Sequence, residues 1–279
     1  MRVAFVGKGG AGKSAISGTF ARLLARRGVP VLAVDSDPMP GMAFSVGMAQ
    51  SDAGIPDDAV VERGEHEEGP RFRLRAGLSA AEAVEMYAAT GPDGVRFLQF
   101  GKLRGRPRDL FRSQMAFFQI RQELAQMAWN VVGDLPGGTR QPFSGWGEFA
   151  DIFLVVVEPT TKSLLSGRRL ARLNDNREVP KRIVCVASKI LSNDDVAWVS
   201  QGTGLEVIAA VPWDEQLATS ERAGRPPLDD APDCPAVLAV AALVERLVDE
   251  HGLDGHGLDE HGLDGNLVDE HNRIEPSTR

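Results

Sequence analysis

The sequence predicts a doubly wound α/β fold, a mostly parallel sheet flanked by helices. Six short apolar runs recur along the chain: VAFVG, VLAVD, WNVVGDL, DIFLVVVEP, RIVCVAS and VIAAVP. They show continuous Val, Ile and Leu rather than alternation, as buried parallel strands do because helices cover both their faces. Helical stretches separate the runs, so beta and alpha segments alternate from end to end. With 279 residues, 43 % of them hydrophobic, the chain can bury such a core as one domain over residues 1–248.

The elements follow in order. The strand VAFVG runs into the loop GKGGAGKS and then into SAISGTFARLLARRG, where Ile16, Phe20, Leu23 and Leu24 share one helical face and Gly28 is placed to cap the C-terminus. VLAVD closes this βαβ unit. The stretch SDAGIPDDAVVERGEHEEGP is polar and acidic, and is expected to be a mobile surface excursion. A helix is expected from Ser79, whose SAAE pattern is a capping box with Glu82, and others near Asp109, Thr160 and Pro235. After residue 250 the pattern collapses into a five-residue repeat dense in Gly, Asp and His, so residues 249–279 are expected to form an acidic, disordered tail.

Charge is unevenly distributed. The net charge is -8, but residues 249–279 carry nine acids against two arginines, leaving the body close to neutral. Residues 71–112 hold nine Lys or Arg against four acids, a local excess that reads first as a solvated helix face. His251, His256, His261 and His271 lie among tail carboxylates, yet five-residue spacing in a disordered segment fixes no coordination geometry, so a solvated repeat is favoured over a metal tether. Cys185 and Cys234 lack the paired spacing of a metal knuckle or redox motif. No run is long enough to cross a bilayer and no leader pattern precedes VAFVG, so a cytoplasmic protein is expected.

GKGGAGKS satisfies G-x-x-x-x-G-K-[ST] from Gly7 to Ser14, between a predicted strand and a predicted helix. Gly9, Gly10 and Gly12 allow the tight turn that aims backbone N–H groups at phosphate oxygens, and the start of the helix, through Ala11, Lys13 and Ala15, adds its positive end. Lys13 is expected to reach the β- and γ-phosphates and Ser14 to offer its hydroxyl to Mg²⁺. VLAVDSDP and VVGDLPGG place Asp35, Asp37 and Asp134 at strand carboxyl ends, where open α/β sheets bind ligands. Asp37 is assigned chiefly to the attacking water, with a share in Mg²⁺, and Asp134 chiefly to Mg²⁺.

The ordinary motif has no use for Lys8. KGGAGKS, with DSDP about 25 residues later and DLPGG at the third run, resembles the MinD/ParA group of deviant Walker-A ATPases, P-loop NTPases of the SIMIBI type. That resemblance implies ATP and Mg²⁺ as cofactors and a face-to-face, ATP-dependent homodimer in which Lys8 contacts phosphate in the partner's site, as an arginine finger does elsewhere. DGVRFLQFGK, DIFLVVVEPTTKSLLSGRRLARL and VIAAVPWDEQLATSERAGRPPLD look most like the CooC branch, ATPases that assist nickel insertion into carbon monoxide dehydrogenase. The resemblance puts the base between the Ser188–Lys189 turn and the Pro212–Trp213–Asp214 turn, with Ser188 standing where an Asn is usual. After Gly101 and Lys102 the CooC Cys-x-Cys pair is missing, and so is the cysteine with which the nitrogenase iron protein holds its cluster.

The reading is therefore a Mg²⁺-dependent ATPase acting as a dimerisation switch, slow and stimulated by a protein client, with a metalloenzyme under assembly as the implied client. The alternative is a ParA-like ATPase that holds DNA non-specifically through RFRLR and KLRGRPR, the basic part of residues 102–112. A membrane switch ranks last, because the tail is acidic and glycine-rich rather than a basic amphipathic helix.

Overall fold

The computed structural model of the chain describes residues 1–38, 41–49, 54–64, 66–68, 71–100 and 107–252, with only the backbone considered for 107–110. The strands are β1 (Arg2–Gly7), β2 (Val31–Asp35), β3 (Val60–Glu62), β4 (Phe72–Leu74), β5 (Ala89–Thr90), β6 (Arg96–Gln99), β7 (Asn130–Asp134), β8 (Ile152–Val157), β9 (Arg182–Ile190) and β10 (Val207–Pro212). The helices are α1 (Lys13–Ala25), α2 (Met42–Val46), α3 (Ala80–Tyr87), α4 (Pro107–Glu123), α5 (Thr161–Asp175), α6 (Asn193–Thr203), α7 (Glu215–Arg222), α8 (Pro227–Asp230) and α9 (Pro235–His251).

Eight strands form one sheet in the order β10-β9-β8-β1-β7-β2-β6-β5, parallel throughout except where β5 pairs with β6. The pleat explains the unbroken apolar runs. In β1, Ala4 and Val6 face a core shared with α3 to α6, while Val3 and Phe5 face a second core shared with α1, α2 and α9. Phe5 and Phe20 meet edge to face at 5.5 Å and fasten α1 to the sheet. Truncating such a fully buried Phe to Ala typically costs about 3–5 kcal/mol.

All six expected strands and all five expected helix starts are present. Ser79 accepts from the Glu82 amide and Glu82 returns the bond, completing the capping box. Gly28 lies beyond the end of α1, at φ +80, and its N–H closes the last turn on the Ala25 carbonyl. The acidic stretch after Ser51 departs from expectation in part. Ile55, Ala59 and Val60 are buried, and Val60–Glu62 pairs antiparallel with Phe72–Leu74, so this part packs into the core, whereas Glu62, Gly64 and residues 66–68 are exposed at the surface. Its apolar residues are too few and too spaced to outweigh the surrounding acids in a sequence pattern.

The basic stretch is partly neutralised within the fold. Arg71 pairs with Glu62 at 2.9 Å and Arg73 with Glu67 at 2.6 Å, while Arg112 donates to the Val60 carbonyl at 2.6 Å. Residues 101–106, including Gly101 and Lys102, lie outside the described residues. At the C-terminus α9 runs past residue 248 to His251 and ends in left-handed Gly252. The rest of the tail, with His256, His261 and His271, lies outside the described residues. Among the described residues, no helix is long and apolar enough to cross a membrane.

Arg121 on α4 is 1 % exposed and stacks on Phe118 at 4.0 Å and Trp146 at 5.0 Å. None of its three nitrogens has a hydrogen-bond partner among the described residues. Burial pushes its pKa down to about 10.

Candidate functional site

Gly7 to Ser14 leave the end of β1, the strand flanked by β7 and β8 in the middle of the sheet. Gly7 has φ +141, and a Cβ there would lie 2.5 Å from the Val156 carbonyl oxygen, so only glycine fits. Gly12 caps α1 at φ +92 and carries the chain from loop to helix. Ala11 and Lys13 are buried, whereas Gly9 and Gly10 are exposed at the rim. Lys13 Nζ reaches back to the Lys8 carbonyl at 3.4 Å. The Lys8 ammonium donates to the neighbouring Gly9 carbonyl at 3.4 Å and pairs with no carboxylate among the described residues.

The strands beside β1 bring the acids. Ser14 Oγ donates to Asp134 Oδ2 at 2.5 Å, while Asp134 Oδ1 is buried without a partner. Burial raises the Asp134 pKa to about 6, with Lys13 and the Ser14 hydrogen bond pulling it down and Asp37 adding repulsion. A fully buried carboxylate with one free oxygen beside a hydroxyl is the donor set that one face of a hydrated Mg²⁺ requires, so these residues fit the ion. The strap after Asp134 closes on the loop. Gly138 bridges to Gly7, and Gly137 approaches so closely that a Cβ would stand 3.0 Å from the Gly9 nitrogen.

Asp35 has a role that its sequence position did not reveal. It is fully buried and accepts from the backbone N–H groups of Asp37, Gly41 and Met42 at 3.0, 3.0 and 2.9 Å. Burial and the nearby Asp134 charge push its pKa well above the usual carboxylate range, against the pull of those amides. Asp35 thus shapes the loop that presents Asp37, which is half-buried. Gly41, on the same loop, comes close enough that a Cβ would lie 3.2 Å from Ser14 Oγ.

Next to the glycine loop lies a cavity of about 330 Å³. Its walls include Gly12, Ala15, Ser188, Lys189, Pro212, Trp213 and Asp214, so the Ser188–Lys189 and Pro212–Asp214 turns line one cavity beside the glycine loop. Trp213 is 50 % exposed along this wall rather than packed in the core. Asp214 Oδ1 is taken by the α7 amides of Gln216 and Leu217, so this carboxylate mainly caps the helix. Ile16, Val211 and, from α7, Glu215, Leu217, Ala218, Glu221 and Arg222 also line the cavity. The signal of the α7 residues was the helical stretch EQLATSER, directly after the Pro-x-Asp turn.

Residues 3–228 match the family described as the CobQ/CobB/MinD/ParA nucleotide binding domain, CbiA. The chain is 26 % identical over 267 residues to the carbon monoxide dehydrogenase accessory protein CooC of Rhodospirillum rubrum, covering 91 % of this chain and all of that protein. It is also 26 % identical over 235 residues to an uncharacterized ATP-binding protein of Methanocaldococcus jannaschii, covering 81 % of this chain and 90 % of the other. Among solved structures, the septum site-determining protein MinD of Pyrococcus horikoshii, complexed with Mg-ADP, superimposes with a TM-score of 0.69 at 15 % identity, covering 91 % of this chain and 98 % of that one. A ParA family ATPase from Chlorobium tepidum gives 0.68 at 17 %, covering 88 % and 98 %. With this domain match over residues 3–228 and the same sheet architecture in MinD and ParA structures, the chain belongs to the CobQ/CobB/MinD/ParA nucleotide-binding domain family.

Proposed function

We propose that this chain is a Mg²⁺-dependent ATPase that pairs with a second copy when ATP is bound and spends the cycle on a protein client. The observation that carries this reading is the Ser14–Asp134 contact, with its unpartnered carboxylate oxygen, at the foot of a glycine loop that adjoins a base-sized cavity. Ser14 and Asp134 would hold Mg²⁺, with Asp37 nearby; when bound, the ion neutralises charge on the phosphate oxygens. Lys13 adds a cation from within the loop. Asp37 orients water, and its loop is kept in shape by Asp35. Ser188, Lys189, Pro212, Trp213 and Asp214 wall the cavity that takes the base.

Lys8 completes the site across the dimer. Its ammonium has no carboxylate partner among the described residues, which leaves it available to a phosphate in a second copy. Similarity to CooC supports a metalloenzyme client. A thiolate-bridged metal between subunits is not part of the reading. Cys185 and Cys234 are both buried, and burial pushes the Cys185 thiol up to about 12.

A second reading, DNA holding of the ParA kind, draws on a surface the sequence did not suggest. Lys162, Arg169 and Arg172 are exposed on α5 with no carboxylate partner among the described residues, whereas Arg71 and Arg73 are paired. DNA binding that needs ATP and falls steeply with salt would favour it.

The first reading is tested by sedimentation and nucleotide turnover of the purified protein with Mg-ATP. Dimers are expected with ATP and monomers with ADP, and Lys8→Ala should abolish hydrolysis while retaining most ATP binding. Intact turnover in Lys8→Ala would remove the role given to Lys8, and failure of the wild type to bind ATP would remove the whole reading.

A further inference from the structure

Glu158 stands where three strands converge. The register sets Gly7 beside Val156 and Val157 beside Ala187, so the residue following β8 lies between the glycine loop and the Ser188–Lys189 turn. The Glu158 side chain, 14 % exposed, accepts from Lys189 Nζ at 2.8 Å. The same ammonium donates to the Gly10 carbonyl at 2.6 Å. Lys189 holds this pose from a left-handed backbone, φ +58, a region that non-glycine residues occupy only where their surroundings over-determine it. Glu158 is itself fixed, since its N–H donates to Ser163 Oγ at 3.0 Å and its carbonyl accepts from Thr160 at 2.7 Å.

We propose that Glu158, Lys189 and the Gly10 carbonyl form a strut that sets the phosphate loop from the base side of the cavity. A phosphate-binding loop works by turning its N–H groups inward, and a carbonyl swung into the site would repel the ligand. The ammonium keeps the Gly10 carbonyl turned towards itself. Glu158, the more buried partner, keeps the ammonium in place through a charge-assisted hydrogen bond that is partly shielded from water. Glu158 is thus a positioning residue acting through Lys189, and Lys189 has a second task besides walling the cavity. Occupancy of the base turn and order in the phosphate loop are thereby linked. The inference rests on the nucleotide-binding reading above.

The test is calorimetric titration of the wild type, Glu158→Gln, Lys189→Met and the double variant with ATP and with inorganic tripolyphosphate, which has no base. A strut predicts that each single variant loses about tenfold in affinity for both ligands, and that the double variant is no weaker than either single one. Glu158→Asp, which keeps the charge, should recover part of the loss. If tripolyphosphate affinity stays unchanged while ATP affinity falls, Lys189 is only a wall of the base cavity and the strut is overturned. Losses that multiply in the double variant overturn it as well. A wild type that binds neither ligand overturns the nucleotide reading, and the strut with it.

Discussion

Ser14 and Asp134, 120 residues apart in sequence, meet at 2.5 Å, with the hydroxyl donating to one carboxylate oxygen and the other oxygen buried without a partner. The contact exists because β1 and β7 are neighbours in the sheet, with Phe5 in register with Asp134.

If that oxygen serves Mg²⁺, Asp134→Asn removes the charge but not the shape. ATP binding without Mg²⁺ should stay within about twofold, and the gain in affinity on adding Mg²⁺ should fall at least tenfold. Titrations with and without Mg²⁺ would show it, and an undiminished Mg²⁺ effect would exclude the assignment.

Trp213 is half exposed and lines the cavity. Stacking of a base on an aromatic ring is worth about 1–3 kcal/mol, so Trp213→Ala should weaken ATP by about 5- to 150-fold and leave tripolyphosphate unchanged. Equal losses for both ligands would mean that the ring supports the fold rather than the base.

Arg22 is 2 % exposed and bridges Asp93 at 2.7 Å and Asp229 at 2.6 Å, tying α1 to α8. The hydrogen bond from Arg22 is the main reason that Asp229 sits below the usual carboxylate range. A depressed carboxylate pKa contributes stability above its unfolded value, near 3.9, and that contribution is lost as pH falls through the folded value. Asp229→Asn should therefore destabilise by about 1 kcal/mol at pH 7, a figure discounted because Asp229 is half exposed. The gap from wild type in urea unfolding should close below about pH 4. A gap that stays constant with pH would show that the ion pair contributes nothing.

Arg121 carries a buried charge that makes no hydrogen bond among the described residues and is offset by two ring faces and by the nearby Glu148 charge. Arg121→Met keeps the length of the side chain and removes the unpaired donors, so it should be neutral or stabilising by up to about 3 kcal/mol. Thermal unfolding decides the point. A marked loss of stability would show that stacking on Phe118 and Trp146 outweighs the cost of desolvation.

The sequence was most legible where local chemistry and global position agree. The βαβ start, the glycine loop and the Ser79 capping box are written in adjacent residues, and all three stand as expected. β6 was missed as a strand because Arg96 and Gln99 interrupt its apolar residues, and β3 because three residues carry no period. The cavity walls were reachable only through a family likeness, since Ser188 and Trp213 are brought together by the pairing of β9 with β10. Glu158 gave no signal of its own, and Asp35 gave only that of a strand-end carboxylate, not its role in shaping the loop. A strand-end carboxylate looks the same in sequence whether it meets an ammonium, three amides or water.

β1 is the first strand of the chain, yet Val3 must find Val132 on one side and Ile152 on the other before it is enclosed. During synthesis the nucleotide loop therefore leaves the ribosome long before anything can hold it, and more than half the chain must follow. Such distant pairings fold slowly and leave apolar surface open meanwhile. Nascent chains halted before β8 should be vulnerable to proteases and dependent on chaperones, and the ability to retain nucleotide should appear only once β9, β10 and the cavity they wall have followed.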